Sequence, residues 1–97
     1  MTGAAPPLSI GLPVYNGERW MPRTLESLLG QSFGDFELII SDNASTDRTE
    51  ELCRDTLAKD PRVRYFRQPT NIGIYPNYNA VFAPARGPLF KWASSND

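Results

Sequence analysis

The chain has 97 residues, of which 40% are hydrophobic and 11% aromatic, enough for one modest packed core and at most one domain. Ten basic and eleven acidic residues leave a net charge of −1, without the basic excess that sequence-independent attraction to nucleic acid requires, which argues against a nucleic-acid partner. There is no histidine, so Ser-His-Asp and Cys-His nucleophiles, imidazole acid–base work and the common zinc sites are excluded.

Cys53 is the single cysteine, which rules out a disulfide framework and reads as a buried, inert thiol in a reducing, cytoplasmic setting. Residues 1–7 lack the basic start and apolar stretch of a signal peptide. No apolar run approaches the roughly 20 residues of a membrane helix, so no membrane segment is expected.

In chain order, Leu8 to Val14 is a nearly continuous apolar run that predicts a strand buried on both faces, with Pro13 marking its end because proline cannot donate a ladder hydrogen bond. Asn16 and Gly17 form a turn, and Met21, Leu25, Leu28 and Leu29 recur at helical spacing, with Pro22 tolerable in a first turn and Gly30 at the end. Phe36 to Ile40 predicts a second buried strand. Ser45 or Thr46 then caps a second helix with an apolar stripe of Leu52, Cys53 and Leu57, ended by Asp60 and Pro61. Val63 to Phe66 gives a third strand. After the loop from Gln68 to Gly73, Pro76 fits the start of a third helix carrying Ala80, Val81 and Ala83, which Pro84 stops. Leu89 to Ala93 is a fourth strand. Strands alternating with helices predict parallel pairing with right-handed crossovers, an α/β open parallel sheet with helices on both faces. Ligands of such sheets bind beyond the carboxyl ends of the strands, where the polar stretches of this sequence fall.

Asp42 follows the apolar Leu38-Ile39-Ile40 directly and admits two readings: it accepts the imide hydrogen of a nucleotide base, or with Asn43 and Ser45 it only satisfies free amides of the second helix. Tyr15 either stacks on a base or sugar or packs beneath its loop. Glu18 is equally at home as a solvated first-turn acid. Asn71 and Gly73 precede a helix, where backbone amides could meet phosphate and where a plain turn is also adequate. Asn77 and Asn79 lie inside a helical segment that asparagine does not favour, which calls for a specific contact, and Arg67 could pair with a base or phosphate or simply be exposed. Ser95, Asn96 and Asp97 offer one hard carboxylate ligand for Mg or Mn beside two neutral polar groups. G-x-G-x-x-G after the first strand and G-x-x-x-x-G-K-[ST] are both missing, against a dinucleotide oxidoreductase and a P-loop NTPase.

Three stretches in this order, SIGLPVYNGERWMPRTLESLLGQSFGDFELIISDNASTD, NIG and KWASSND, resemble the nucleotide-binding half of family 2 glycosyltransferases with the A-type fold, from Ser9 onward. The resemblance implies a Rossmann-like nucleotide-diphospho-sugar transferase sheet in strand order 3-2-1-4. It implies that Pro13, Tyr15, Glu18 and Asp42 hold the nucleotide; Arg67, Asn71, Gly73, Asn77 and Asn96 stand beside them as further candidate contacts read from their positions in the sequence. Its D-x-D motif falls on Ser95, Asn96 and Asp97, with Ser95 in place of the first Asp, so the divalent metal, Mg or Mn, rests on Asp97. The implied partners are a nucleotide-diphosphate sugar, UDP-sugar favoured, and an unknown hydroxyl acceptor, with inversion at the sugar. On this reading residues 1–7 are a disordered tail and residues 8–97 a donor half truncated after the motif, lacking the general base and inactive alone. The fourth strand, with Leu89, Phe90 and Trp92, is then an edge that pairs with another copy. The alternatives are a nucleotide-binding module without turnover and a sugar nucleotidyltransferase, the latter disfavoured because VYNGER lacks a Gly-rich basic loop.

Overall fold

The computed structural model describes residues 5–93. The elements alternate as β1 (Leu8–Val14), α1 (Met21–Leu29), β2 (Phe36–Asp42), α2 (Thr49–Lys59), β3 (Val63–Arg67), α3 (Ile74–Phe82) and β4 (Leu89–Trp92). They build one parallel sheet in the order β3-β2-β1-β4, as the sequence and the resemblance predict. Leu8 pairs with Phe36 and Val14 with Asp42, while Asp42 pairs on its other side with Arg67.

Alternation along the central strands divides the core. Ile10, Leu12 and Val14 of β1 and Phe36, Leu38 and Ile40 of β2 join Met21, Leu25 and Leu28 of α1 and Cys53 of α2 in one cluster. The intervening residues face α3. Gly11 lies on that side, where an added Cβ would stand 2.5 Å from Cγ2 of Val81 and 2.7 Å from Cζ of Phe90. The glycine is therefore what lets α3 and β4 settle onto the sheet. Helices thus cover both faces, and all seven residues of β2 are buried.

Three local expectations are corrected. β1 runs one residue past Pro13. Gly11 O accepts from Ala93 N and Val14 O from Asn43 N, so the missing N–H of Pro13 points to the β4 side, beyond the last pair, Gly11 with Trp92. The start of α2 is served by Asp47, whose Oδ1 accepts both the amide (2.9 Å) and the hydroxyl (2.6 Å) of Thr49, while Ser45 and Thr46 bond instead to Asn16. Leu57, near the end of α2, is exposed rather than part of a buried stripe.

A carboxylate sits inside the apolar β2. Glu37 is 2% exposed; its Oε2 accepts from Ser9 Oγ (2.6 Å) and Arg86 N (2.7 Å), and its Oε1 from Arg64 (2.9 Å) and Arg86 Nε (3.0 Å). Burial alone would raise its pKa, but the Ser9, Arg86 and Arg64 bonds outweigh it and pull the carboxyl down to about 2. Ser9 Oγ also accepts from Gly87 N (2.8 Å), so this network fixes the turn that leads into β4 from the end of the sheet opposite the candidate site.

Candidate functional site at the strand tips

Beyond the carboxyl ends of β1, β2 and β3 the loops are tied to each other by side chains. Asn16, in a left-handed conformation (φ 49°), donates its amide to Ser45 Oγ (2.8 Å) and accepts the amide of Thr46 on Oδ1 (2.8 Å). Gly17 N donates to Thr49 Oγ1 (2.8 Å) and Glu18 N to Asp47 Oδ2 (3.1 Å), while the Glu18 carboxylate accepts the Arg48 amide (3.1 Å). The loop after β1 is thereby fastened to the loop between β2 and α2.

Asn43 makes the second fastening. Its Nδ2 donates to Asn71 Oδ1 (3.0 Å) and Gly73 O (3.2 Å), and its Oδ1 accepts the Ile72 amide (2.8 Å). Gly73 has φ 94°, the left-handed region that glycine adopts without strain, and leads directly into α3. Asn77 is buried beneath this loop, with Oδ1 accepting from Ser41 Oγ (2.6 Å) and Nδ2 donating to Ser41 O (3.1 Å). The contact demanded by an asparagine inside a helix is thus made within the protein.

Asp42 is fully buried at the tip of β2. Its Oδ1 accepts from Ser45 N (2.9 Å), and its Oδ2 from Tyr65 Oη (2.6 Å) and Arg67 NH1 (3.1 Å). The Ser45 amide precedes α2, so Asp42 closes the loop rather than capping the helix; Ala44 within it has φ 61°, an uncommon conformation for a residue with a Cβ. Arg67 also donates to Ser45 O (2.9 Å) and lies 3.8 Å from Glu50. Burial, reinforced by the bond to Asp42, raises the Tyr65 phenol above its ordinary value, so it remains a donor. The Arg54 guanidinium of α2 stands 5.1 Å from the centroid of the same ring.

The predicted nucleotide residues are therefore gathered at one end of the sheet but differ in what they present. Tyr15 is 48% exposed, Pro13 is partly buried and Arg67 partly open, whereas Asp42 and Asn77 are covered. Asn96 and Asp97 lie outside the described residues. Among the described residues no group of three or more His, Cys, Asp or Glu side chains is placed to hold a metal ion. A cavity of about 440 Å³ between α1 and α2, floored by Leu25, Leu29 and Leu52, is remote from these residues.

Asn16, Asp47 and Tyr65 were not foreseen as parts of the site. The signal for Tyr65 was present: counting by two from buried Val63 puts Tyr65 and Arg67 on one side of β3, and the register sets Arg67 beside Asp42.

A family model described as glycosyl transferase family 2 matches residues 9–94. An uncharacterized glycosyltransferase of Haemophilus influenzae is 37% identical over 92 residues, covering 95% of this chain and 37% of that protein. The chondroitin synthase of Escherichia coli is 36% identical over 92 residues, again 95% of this chain but 13% of the relative. Among solved structures, S. aureus TarS 1-349 in complex with UDP-GlcNAc superposes with a TM-score of 0.83 at 27% identity, over 92% of this chain and 26% of that 1-349 chain. The mannosyltransferase PcManGT of Pyrobaculum calidifontis shares the fold with a TM-score of 0.85 at 20% identity, over 96% of this chain and 28% of its own. The chain thus spans little more than a third of these relatives at most. It belongs to glycosyl transferase family 2, a family of enzymes.

Proposed function

We propose that this chain binds the donor in an enzyme that transfers a sugar from a nucleotide-diphosphate sugar, UDP-sugar favoured, to a hydroxyl acceptor, with inversion. The observation that carries the reading is the joining of three strand tips into one rim by the Asn16–Ser45, Asp42–Arg67 and Asn43–Asn71 bonds, at the end of a parallel sheet where ligands bind. TarS, which has this fold, was crystallised with UDP-GlcNAc and with UDP, which supports a uridine donor.

On this reading residues 8–97 are the nucleotide-sugar-binding half. Tyr15 stacks on the base, Asp42 accepts its imide hydrogen, and Arg67, Asn71 and Gly73 meet the base edge or the phosphates. Pro13 and Glu18 shape the loop that carries Tyr15. Asn77 acts from beneath by holding Ser41. Asn96 and Asp97 complete the donor site, with Mg or Mn at Asp97; a divalent ion there would offset charge on the diphosphate. Among the described residues no group of three or more His, Cys, Asp or Glu side chains stands ready to join it. None of the described residues is assigned to taking the acceptor's proton. The reading places the protein in the cytoplasm, in keeping with the free thiol of Cys53.

Calorimetric titration with UDP, with and without manganese, tests it. Asp42→Ala should weaken binding about tenfold or more under both conditions, because a hydrogen bond to a charged group contributes roughly 1.5 to 3 kcal/mol. Asp97→Ala should remove only the increment that manganese adds. Wild-type protein that takes up no UDP at millimolar concentration rejects the donor-site assignment, and an equal loss with and without metal in Asp97→Ala rejects the metal role.

A further inference from the structure

An ionised carboxylate has about four lone-pair positions, two on each oxygen. At Asp42 three are taken: Tyr65 Oη and Arg67 NH1 fill Oδ2, and Ser45 N takes one position on Oδ1. The acceptor capacity left for a ligand is therefore on Oδ1. Of the three donors the Ser45 amide is fixed by the backbone, and Arg67 is partly exposed and shares its guanidinium with Ser45 O. The Tyr65 hydroxyl is the shortest of the three contacts, at 2.6 Å, and sits on a ring held between the sheet core and Arg54.

We propose that Tyr65 is a positioning residue that turns Asp42 so that Oδ1 is offered to the nucleotide base, and that it thereby sets the preference for bases with a ring N–H donor. This rests on the donor-site reading of Asp42 given above. Asp42 is fully buried, so a base reaches Oδ1 only as the groups over it move aside; a base such as uracil, with a hydrogen on the ring nitrogen of that edge, then meets an acceptor position that no protein donor occupies. Cytosine carries a lone pair at the same nitrogen and meets repulsion. Without the Tyr65 hydroxyl the carboxylate gains a free position on Oδ2 and freedom to rotate or to bind water there, and water serves either base because it both donates and accepts.

The test is calorimetric titration of UDP and of CDP into wild type, Tyr65→Phe, Asp42→Asn and the double variant, with thermal melts to establish that each is folded. Tyr65→Phe, which keeps the ring, should weaken UDP about tenfold and CDP little, lowering the UDP-over-CDP ratio; in the Asp42→Asn background the same exchange should have no further effect. Loss of UDP and CDP by an equal factor, an unchanged ratio, or the same loss in both backgrounds reduces Tyr65 to a structural role and overturns the proposal while leaving the donor site standing. Wild type that binds neither nucleotide overturns the donor site, and this assignment with it. Should Tyr65→Phe not fold, Arg54→Gln loosens the ring from the exposed side of α2: a smaller fall in the ratio, absent with Asp42→Asn, supports the proposal, and an unchanged ratio overturns it.

Discussion

Ser9 and Glu37 face each other across β1 and β2, and the serine hydroxyl donates to the carboxylate at 2.6 Å in the interior of the sheet. The Glu37 carboxyl, pulled from the ordinary 4.5 to about 2, is a depressed carboxylate: its contribution to stability is complete above about pH 4.5 and is lost as pH falls toward about 2. A displacement of that size corresponds to roughly 3 kcal/mol. Urea midpoints of wild type should fall steeply between these pH values. Glu37→Gln should be less stable by about 3 kcal/mol at pH 7, since it leaves Arg64 and Arg86 without their anion, and its midpoint should fall less on acidification. Parallel pH dependence in the two proteins would show that the stabilisation lies elsewhere.

Asn43 joins the loop after β2 to the loop before α3 through three hydrogen bonds, to Asn71, Gly73 and Ile72. Asn43→Ala should lower stability by about 1 to 3 kcal/mol, the range for leaving buried partners unmet. Amide exchange at Ile72 and Gly73 should accelerate, while Leu38 to Ile40 in the core of β2 stay protected. Unchanged exchange at Ile72 would mean the loop is held without the asparagine.

Gly11 is a packing glycine, and the space its side chain would need is taken by Val81 and Phe90. Gly11→Ala should cost about 1 to 3 kcal/mol through overpacking and should loosen α3 first, visible as faster amide exchange in residues 78–82 than in β2. A variant as stable as wild type would mean that α3 shifts freely over the sheet.

The order of elements and the sheet were legible because β1 and β2, buried on both faces, read as continuous apolar runs, and Gly30, Pro76 and Pro84 mark the helix limits. The strand order came from the family resemblance, since alternation alone fixes direction but not neighbourhood. The internal use of polar residues was much less legible. Glu37 lies in an apolar run, and its partners Arg64 and Arg86 are 27 and 49 residues away, so only the tertiary fold shows that its charge is matched. Asn77 looks in sequence like an amide reserved for a specific contact and Asn43 like a helix-capping one; in space Asn77 bonds Ser41 and Asn43 holds the loop before α3. The first amide of α2 is met by Asp47, from just before the N-cap position Arg48, rather than by Ser45 or Thr46, because those two are drawn across to Asn16.

The two edges of the sheet are unlike in a way that bears on association. β3 carries Arg64 and Arg67, and Arg64 lies over the ring of Phe66 at 5.4 Å, so charge guards that edge. β4 carries one charged residue, Lys91, beside Leu89 and Trp92, which are 65% and 48% exposed, and Phe82 adds a further open ring packed edge-on against Phe90. The Trp92 indole N–H is held by Tyr78 O at 3.1 Å, which leaves its ring fixed at the surface. Among the described residues β4 has no strand on its outer side, and such an edge flanked by fixed apolar side chains favours addition of another strand. The 97-residue chain should therefore associate in a concentration-dependent manner through β4, and Leu89→Lys, which places charge on that edge, should shift it toward monomer without lowering its melting temperature. Sedimentation or light scattering across a hundredfold dilution measures this. A wild-type chain that stays a monodisperse monomer at high concentration, or a Leu89→Lys variant that associates as strongly as wild type, would remove β4 as the contact.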